Sequence, residues 1–286
     1  MVSLSLLGVV FLIFTSVLVT TTKLSTQNVA TNVSNYRVRQ ALDRLDEIVR
    51  YAQDTPTLIN NDGTAAAGTT ADGILINNIQ GGVYAFYNSD GNVADSIPSG
   101  TSTFMVKYTT VGADAWKVAD YTPKVGDYFT LNISTHPNLE VTAVSAVTSG
   151  SPLNSVTVTT RTAITETVTP ASYEITGARY RKEAYVFVAD GSTGYYGLRH
   201  YGRVTSTTVY SNPANFYQLG SGFAKMTGQT WFTAVTDAGA QAIWVRAIAR
   251  SSNHAEYAEH TGRNTISTMP LQVKLWNYDG PTPNPY

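Results

Sequence analysis

Apolar positions change rhythm twice along this chain, and each change marks an element. Val2 to Val19 reads VSLSLLGVVFLIFTSVLV without a charge, and the first charged residue is Lys23. That run is about 18 residues, the lower end of what crosses a bilayer as a helix. Apolar side chains then recur every three to four residues, at Val29, Val33, Tyr36, Val38, Ala41, Leu42, Leu45, Ile48, Val49 and Ala52. Arg37, Arg39, Asp43, Arg44, Asp46, Glu47 and Arg50 fill the other side. The pattern predicts one helix over residues 1–53, on the order of 80 Å long at ~1.5 Å per residue. Residues 1–19 are greasy all round and need lipid or other apolar helices. Residues 24–53 are two-faced and suit packing on a globular domain. Gly8 and Thr20-Thr21-Thr22 are the weak places in the helix.

The second change follows Pro56, which disfavours helix for the residue before it. From residue 54 to 286 the chain reads as short runs of β-branched and aromatic residues between turn clusters. Strands are expected at 73–79, 81–88, 102–110, 115–121, 127–134, 140–148 and 154–164. Residues 171–190 and 195–210 read as two further broken pairs, and 230–237, 241–250 and 269–279 complete the series. Strand-rich sequence after one long helix indicates an α+β fold, a long N-terminal helix with a β-rich head. The Val/Thr-rich stretch 111–176 reads as a β module inserted in that head. The tail Gly280-Pro281-Thr282-Pro283-Asn284-Pro285-Tyr286 cannot join a sheet centre.

Three readings fit the opening. A secretory signal peptide wants a basic start, a short apolar core and a small-x-small cleavage site; here nothing basic precedes the apolar run, the run is too long, and VLVTTTK is a poor cleavage site. A simple membrane anchor fits on length. The third reading rests on residue order: MVSLSLLGVV resembles the interior of the N-terminal helix of type IV pilins and pseudopilins, whose mature form begins FTLVEVMVSLxxLLG or a close variant. The resemblance covers about ten residues locally, and the plan of long helix then β head extends it. It implies that Met1 is not the natural beginning, with an aromatic first residue and a glutamate just upstream, and that Gly8 stands at the family's helix glycine. It also implies an antiparallel sheet packed on residues 24–53, with a closing strand such as LQVKLWN. Leu4, Leu7, Gly8, Val10, Phe11 and Phe14 would make the helix contacts of a filament core. Residues 1–22 contain no glutamate and no proline, so on this resemblance either the leader and the acid lie upstream of Met1 or this is a subunit lacking that acid, and the anchor-helix proline of many pilins is not matched.

Composition sharpens this picture. Charged residues are 14% and tyrosines number 18, a surface made polar by hydroxyls more than by charge. Net charge is −1, which gives no pull toward nucleic acid, and Arg179-Tyr180-Arg181-Lys182 reads as a solvated strand end. There is no cysteine, so no disulfide closes the C-terminal loop as in many pilins. His254-Ala255-Glu256-Tyr257-Ala258-Glu259-His260 fits neither HExxH nor HxxEH and offers at most two zinc ligands on one helix face. Asn88, Asp90, Asn92 and Asp95 alternate as calcium ligands do, yet the same letters spell a hairpin turn. Ser221 between two glycines reads as turn chemistry. No nucleotide, nucleophile-elbow or carboxylate-pair motif is legible, so no catalytic residue, metal or cofactor is assigned. Asn32 and Asn132 sit in N-glycosylation sequons. Tyr84, Tyr87, Tyr195, Tyr196, Tyr201, Tyr210, Trp231 and Trp244 are either strand packing or a sugar-stacking and contact surface.

The expectation is therefore a non-enzymatic structural subunit. It would be held in the inner membrane by residues 1–19 before assembly, handled by a pilus assembly machinery, and built with copies of itself into an extracellular filament whose β head faces outward for surface or glycan contact. The alternative is a membrane-anchored β-domain adhesin or carbohydrate-binding protein that never polymerises. An anchored hydrolase would have only the His254–His260 cluster behind it.

Overall fold

A computed structural model describes residues 2–50, 52, 56–88, 96–109, 122–131, 139–149, 153–170, 175–191, 195–225, 230–237, 240–249 and 271–276. The fold is α+β, one N-terminal helix with a large antiparallel sheet. Helix α1 runs without interruption from Val2–Arg50. Neither Gly8 nor the threonines break it. The hydroxyls of Thr15, Thr20, Thr21, Thr22 and Thr26 each donate to the carbonyl four residues back at 2.8–2.9 Å, so they bring no unpaired polar group to the apolar segment.

Packing on the head begins later than residue 24. Val38, Ala41, Leu42, Leu45 and Val49 are buried, whereas Leu24, Val29, Val33 and Tyr36 stay exposed. Periodicity marked an apolar face over the whole second half, but the head is long enough to cover only its last turns. That covered face joins Ile74, Tyr185, Phe187, Leu198, Phe223, Trp231, Phe232, Ile243 and Val245 in one core. Phe187 and Trp231 stack there with ring centres 4.1 Å apart.

Among the described residues thirteen strands make the head: β1 Thr57–Ile59, β2 Thr70–Ala71, β3 Gly73–Tyr87, β4 Thr103–Thr109, β5 Tyr128–Leu131, β6 Leu139–Val144, β7 Leu153–Thr160, β8 Ile175–Ala189, β9 Tyr196–Tyr201, β10 Tyr217–Ala224, β11 Phe232–Asp237, β12 Ala240–Ala249 and β13 Leu271–Trp276. The two runs at 73–79 and 81–88 fuse into the single strand β3, and the expected broken pair at 171–190 is the single strand β8. These two are the spine of the head. They pair antiparallel from Gly73↔Val186 to Phe86↔Ile175, with one irregularity between Gln80 and Tyr84.

Each end of that spine has its own neighbours. At the α1 end, β3 takes β1 and β8 takes β9, and the sheet continues through β10 and β12 to β11, β13 and β2. The helix lies across β10, β12 and β13. At the far end the pairings β3–β4, β4–β7, β7–β6, β6–β5, β5–β8 and β8–β3 close on themselves. This six-stranded barrel encloses a second core, in which Phe86 meets Phe104 and Phe129 edge-on at 5.9 and 5.0 Å. The barrel takes in β3 and β4, upstream of residue 111, as well as the expected module. A Cβ at Gly177 would collide with the Thr130 carbonyl and the Phe86 ring, so only glycine lets β5 and β8 approach this closely.

Strand β10 was not expected. Its Gly220-Ser221-Gly222 reads as a turn, yet it pairs with β9 through two register shifts, the usual accommodation for glycines inside a strand. The expected strand at 115–121 lies outside the described residues.

Candidate functional site

Two surfaces stand out, one on the helix and one where the barrel meets the sheet. The helix surface comes directly from composition. Leu7–Thr26 is long and apolar enough to cross a membrane, and none of it is buried. Leu7, Val10, Phe11 and Phe14, expected as filament-core contacts, are all exposed, and among the described residues nothing beyond the helix's own backbone lies within 4 Å of a Cβ built at Gly8. Leu4 lies on α1, but its side chain is outside those described.

The exposed apolar surface does not stop where a bilayer would. Twenty residues at ~1.5 Å each span ~30 Å, the full hydrocarbon thickness. Beyond Thr26, Val29, Val33 and Tyr36 remain 59%, 44% and 68% exposed. At ~100° per residue these three fall in a stripe about 60° wide. Val38, Leu42, Leu45 and Val49 fall on the opposite side of the helix. The described part of the head therefore leaves the stripe uncovered. Asn32 is exposed on this same stalk, while Asn132 lies outside the described residues.

The second surface gathers charges scattered through the sequence. On one face of β8, Arg179 is almost wholly buried and Arg181 partly so, which corrects the reading of this run as a solvated strand end. The reason is Asp127, fully buried, which takes Arg179 at 3.2 Å, Arg203 at 3.3 Å and Arg181 at 3.8 Å, and accepts the Lys124 backbone N–H at 2.9 Å. The Arg179 guanidinium also donates to the Thr122 carbonyl at 2.8 Å. On the same face, Glu183 accepts from Asn78 and the Tyr185 hydroxyl at 3.1 Å each and meets His200 Nε2 at 2.9 Å. The Tyr185 and His200 rings stack at 4.6 Å. Burial alone would raise the Glu183 pKa, but the hydrogen bonds and the His200 charge hold it below the ordinary value.

The other face of β8 carries Lys182 and opens into a cleft of about 550 Å³ between barrel, sheet, the β1–β2 connection and the segment Val204–Tyr210. Glu140 sits in its wall. It accepts twice from Arg161 at 3.1 Å, from the Ser206 backbone N–H at 3.1 Å and from the Tyr128 hydroxyl at 3.4 Å. Burial opposes the charged form, but these donors keep the Glu140 pKa below the ordinary carboxylate value. Burial and the neighbouring Glu140 raise Tyr128, and burial pushes Tyr210 up to about 12. Neither phenol ionises near neutral pH.

Lys182 differs from its neighbours. Its ammonium lies 4.4 Å above the Tyr128 ring and makes no ion pair or hydrogen bond among the described residues. Burial lowers its pKa against the opposing pull of Glu140. Gly63, at φ +86°, brings the β1–β2 connection against the Tyr210 ring, where a Cβ would collide. None of this cleft was singled out in the sequence except Lys182 and Tyr210, because its walls come from seven separate segments.

Of the eight aromatic residues weighed as a contact surface, Tyr195, Tyr196 and Trp244 are half-buried. Tyr84, Tyr87, Tyr201, Tyr210 and Trp231 are buried and serve strand packing. Ser221 lies inside β10. Asp90, Asn92 and Asp95 and the whole run His254–His260 lie outside the described residues, among which no cluster of three metal-ligating side chains occurs. A scan against protein-family models and searches of curated proteins and of solved structures returned no match to this chain.

Proposed function

We propose that this chain is a structural subunit of an extracellular type IV pilus-like filament, assembling with copies of itself through α1 and presenting the β head outward. One observation carries the reading: apolar helix surface is exposed from Leu7 to Tyr36, more than a bilayer hides, and its last part faces away from the head. Moving the anchor from lipid into a bundle gains little hydrophobic free energy, since lipid tails are as apolar as leucine. The drive would come from side-chain packing of Leu7, Val10, Phe11 and Phe14 between neighbouring helices. Val29, Val33 and Tyr36, in water before assembly, would add a hydrophobic gain of about 25 cal/mol per Å² covered. Before assembly the chain would sit in the inner membrane, where an assembly machinery would collect it.

The competing reading is a membrane-anchored adhesin that stays monomeric. The 20-residue span Leu7–Thr26 favours it, because a bilayer alone accommodates that length. Electron microscopy of sheared extracellular material, with mass spectrometry of the chain's N-terminus, separates the two. Thin helical filaments containing this chain, with an N-methylated aromatic residue ahead of Met1, are expected. Membrane-bound monomer alone, beginning at Met1, would overturn the filament reading and leave the adhesin.

A further inference from the structure

We infer that the cleft between barrel and sheet binds a monoanionic, hydroxyl-rich ligand of the uronic-acid type, with its carboxylate on Lys182 and its hydroxyls on the turn Thr205–Thr208. This deepens the outward, adhesive role of the head, and its failure would leave filament assembly untouched.

The charge balance of the cleft selects the ligand. Among the described residues four charged side chains line it: Asp62, Glu140, Arg161 and Lys182. Glu140 and Arg161 neutralise each other through two hydrogen bonds, and the Ser206 N–H helps hold the carboxylate in the wall. Asp62 is turned to Thr64, accepting from its backbone N–H at 2.9 Å and its hydroxyl at 2.7 Å. That leaves one cation, Lys182, partly withdrawn from water over the Tyr128 ring and in no direct ion pair among the described residues, with Glu140 acting on it from farther off. A half-buried charge without a partner carries a desolvation cost that an incoming anion would relieve. With Glu140 neutralised by Arg161, one free cation beside one free carboxylate, Asp62, suits a single negative charge; a phosphate dianion would face more repulsion from Asp62 than a monoanion would.

The rest of the described lining mixes hydroxyl side chains with the apolar Leu75 and Val204 and the rings of Tyr128 and Tyr210. Thr162, Thr205, Ser206 and Thr208 border the cleft, and the turn carrying the last three is fixed by the Thr205 N–H donating to Thr208 Oγ1 at 2.8 Å. Serine and threonine hydroxyls can both donate and accept, which suits sugar hydroxyls. A space of about 550 Å³ lies within the ordinary range of small-molecule sites and holds one or two sugar rings. The Tyr128 and Tyr210 rings are buried, so recognition would rest on charge and hydrogen bonds, with little stacking.

The test is calorimetric titration of the full-length chain in neutral detergent with methyl β-D-glucuronide, against methyl β-D-glucoside, glucose 6-phosphate and acetate. The glucuronide should bind with a Kd of about millimolar, and each of the other three about tenfold or more weaker, as expected for loss of one charge-assisted contact or of the hydroxyl set. Lys182→Gln should weaken the glucuronide about tenfold, and Lys182→Arg only a few-fold. As a measurement that needs no variant, the glucuronide should protect Lys182 of the unaltered chain from an amine-acylating reagent, read by peptide mass spectrometry, while the glucoside should not. Equal binding of glucoside and glucuronide, acetate as good as the glucuronide, preference for the phosphate, no binding, or no protection of Lys182 would each overturn the assignment.

Discussion

Truncating Leu45 to alanine would separate the part of α1 that belongs to the head from the part that does not. Leu45 is fully buried in the core shared by helix and sheet, beside the elements carrying Tyr185, Phe187 and Trp231. Such a change loses the transfer free energy of the removed carbons and leaves a cavity, together about 3–4 kcal/mol at a site whose walls are rigid strands. For a chain of this size each kcal/mol moves Tm by about 2–4 °C, so a fall of roughly 6–16 °C is expected. Val33→Ala, one stripe away on the same helix but on the exposed side, should cost about 0.5 kcal/mol or less. The assay is thermal unfolding of the full chain in neutral detergent, followed by near-ultraviolet circular dichroism at two protein concentrations. A Leu45→Ala melt within about 2 °C of the parent would refute the docking of residues 38–49. A Val33→Ala melt lowered as far as that of Leu45→Ala would refute the division of the helix into covered and uncovered sides.

Asp127→Asn should destabilise by about 3–5 kcal/mol, because it leaves three arginines around an uncharged group, one of them buried; chemical denaturation measures it, and a change under 1 kcal/mol would mean water already serves those arginines. The folded state holds Glu183 below its ordinary value near 4.5, so its contribution is present above that pH and is lost as pH falls through the folded-state pKa. Glu183→Gln should therefore be less stable than the parent at pH 7 and lose less on acidification to pH 3.5; parallel Tm profiles would count against the pairing with His200. Gly63→Ala should strain the β1–β2 connection at a positive φ and displace Tyr210, costing about 1 kcal/mol or more by denaturant titration. A neutral result would show that the Tyr210 ring moves freely.

The sequence exposes some of this architecture plainly and hides the rest for identifiable reasons. Val38 through Val49 could be read as a packed helix face because their spacing is a property of the helix itself. The freedom of Val29, Val33 and Tyr36 could not, since spacing says that a face is apolar and not how far a neighbour extends along it. Strand β8 looked broken because Gly177, Arg179 and Arg181 interrupt its apolar run. The acid that makes Arg179 tolerable in the interior is Asp127, on a different segment. Strand β10 was invisible because glycine and serine spell a turn locally, and only pairing with β9 makes them extended. The cleft depends on Asp62, Glu140, Arg161, Lys182 and the 205–208 turn meeting in space, which no local pattern records.

The long pairing of β3 with β8 also constrains the order in which the chain can fold. Its registers join residues roughly a hundred positions apart, and closing so long a loop in an unstructured chain carries an entropic cost that grows as (3/2)RT ln n. The barrel removes most of that cost. Once β4, β7, β6 and β5 have paired with one another, and β3 has joined β4 and β8 has joined β5, all through shorter loops, Phe86 and Ile175 lie close, and the rest of the spine can zip from that end toward Gly73 and Val186. Helix α1 can bury its covered side only once β10, β12 and β13 are in place. A chain held at its N-terminus by an apolar helix would then mature from the tip of the head back toward the anchor.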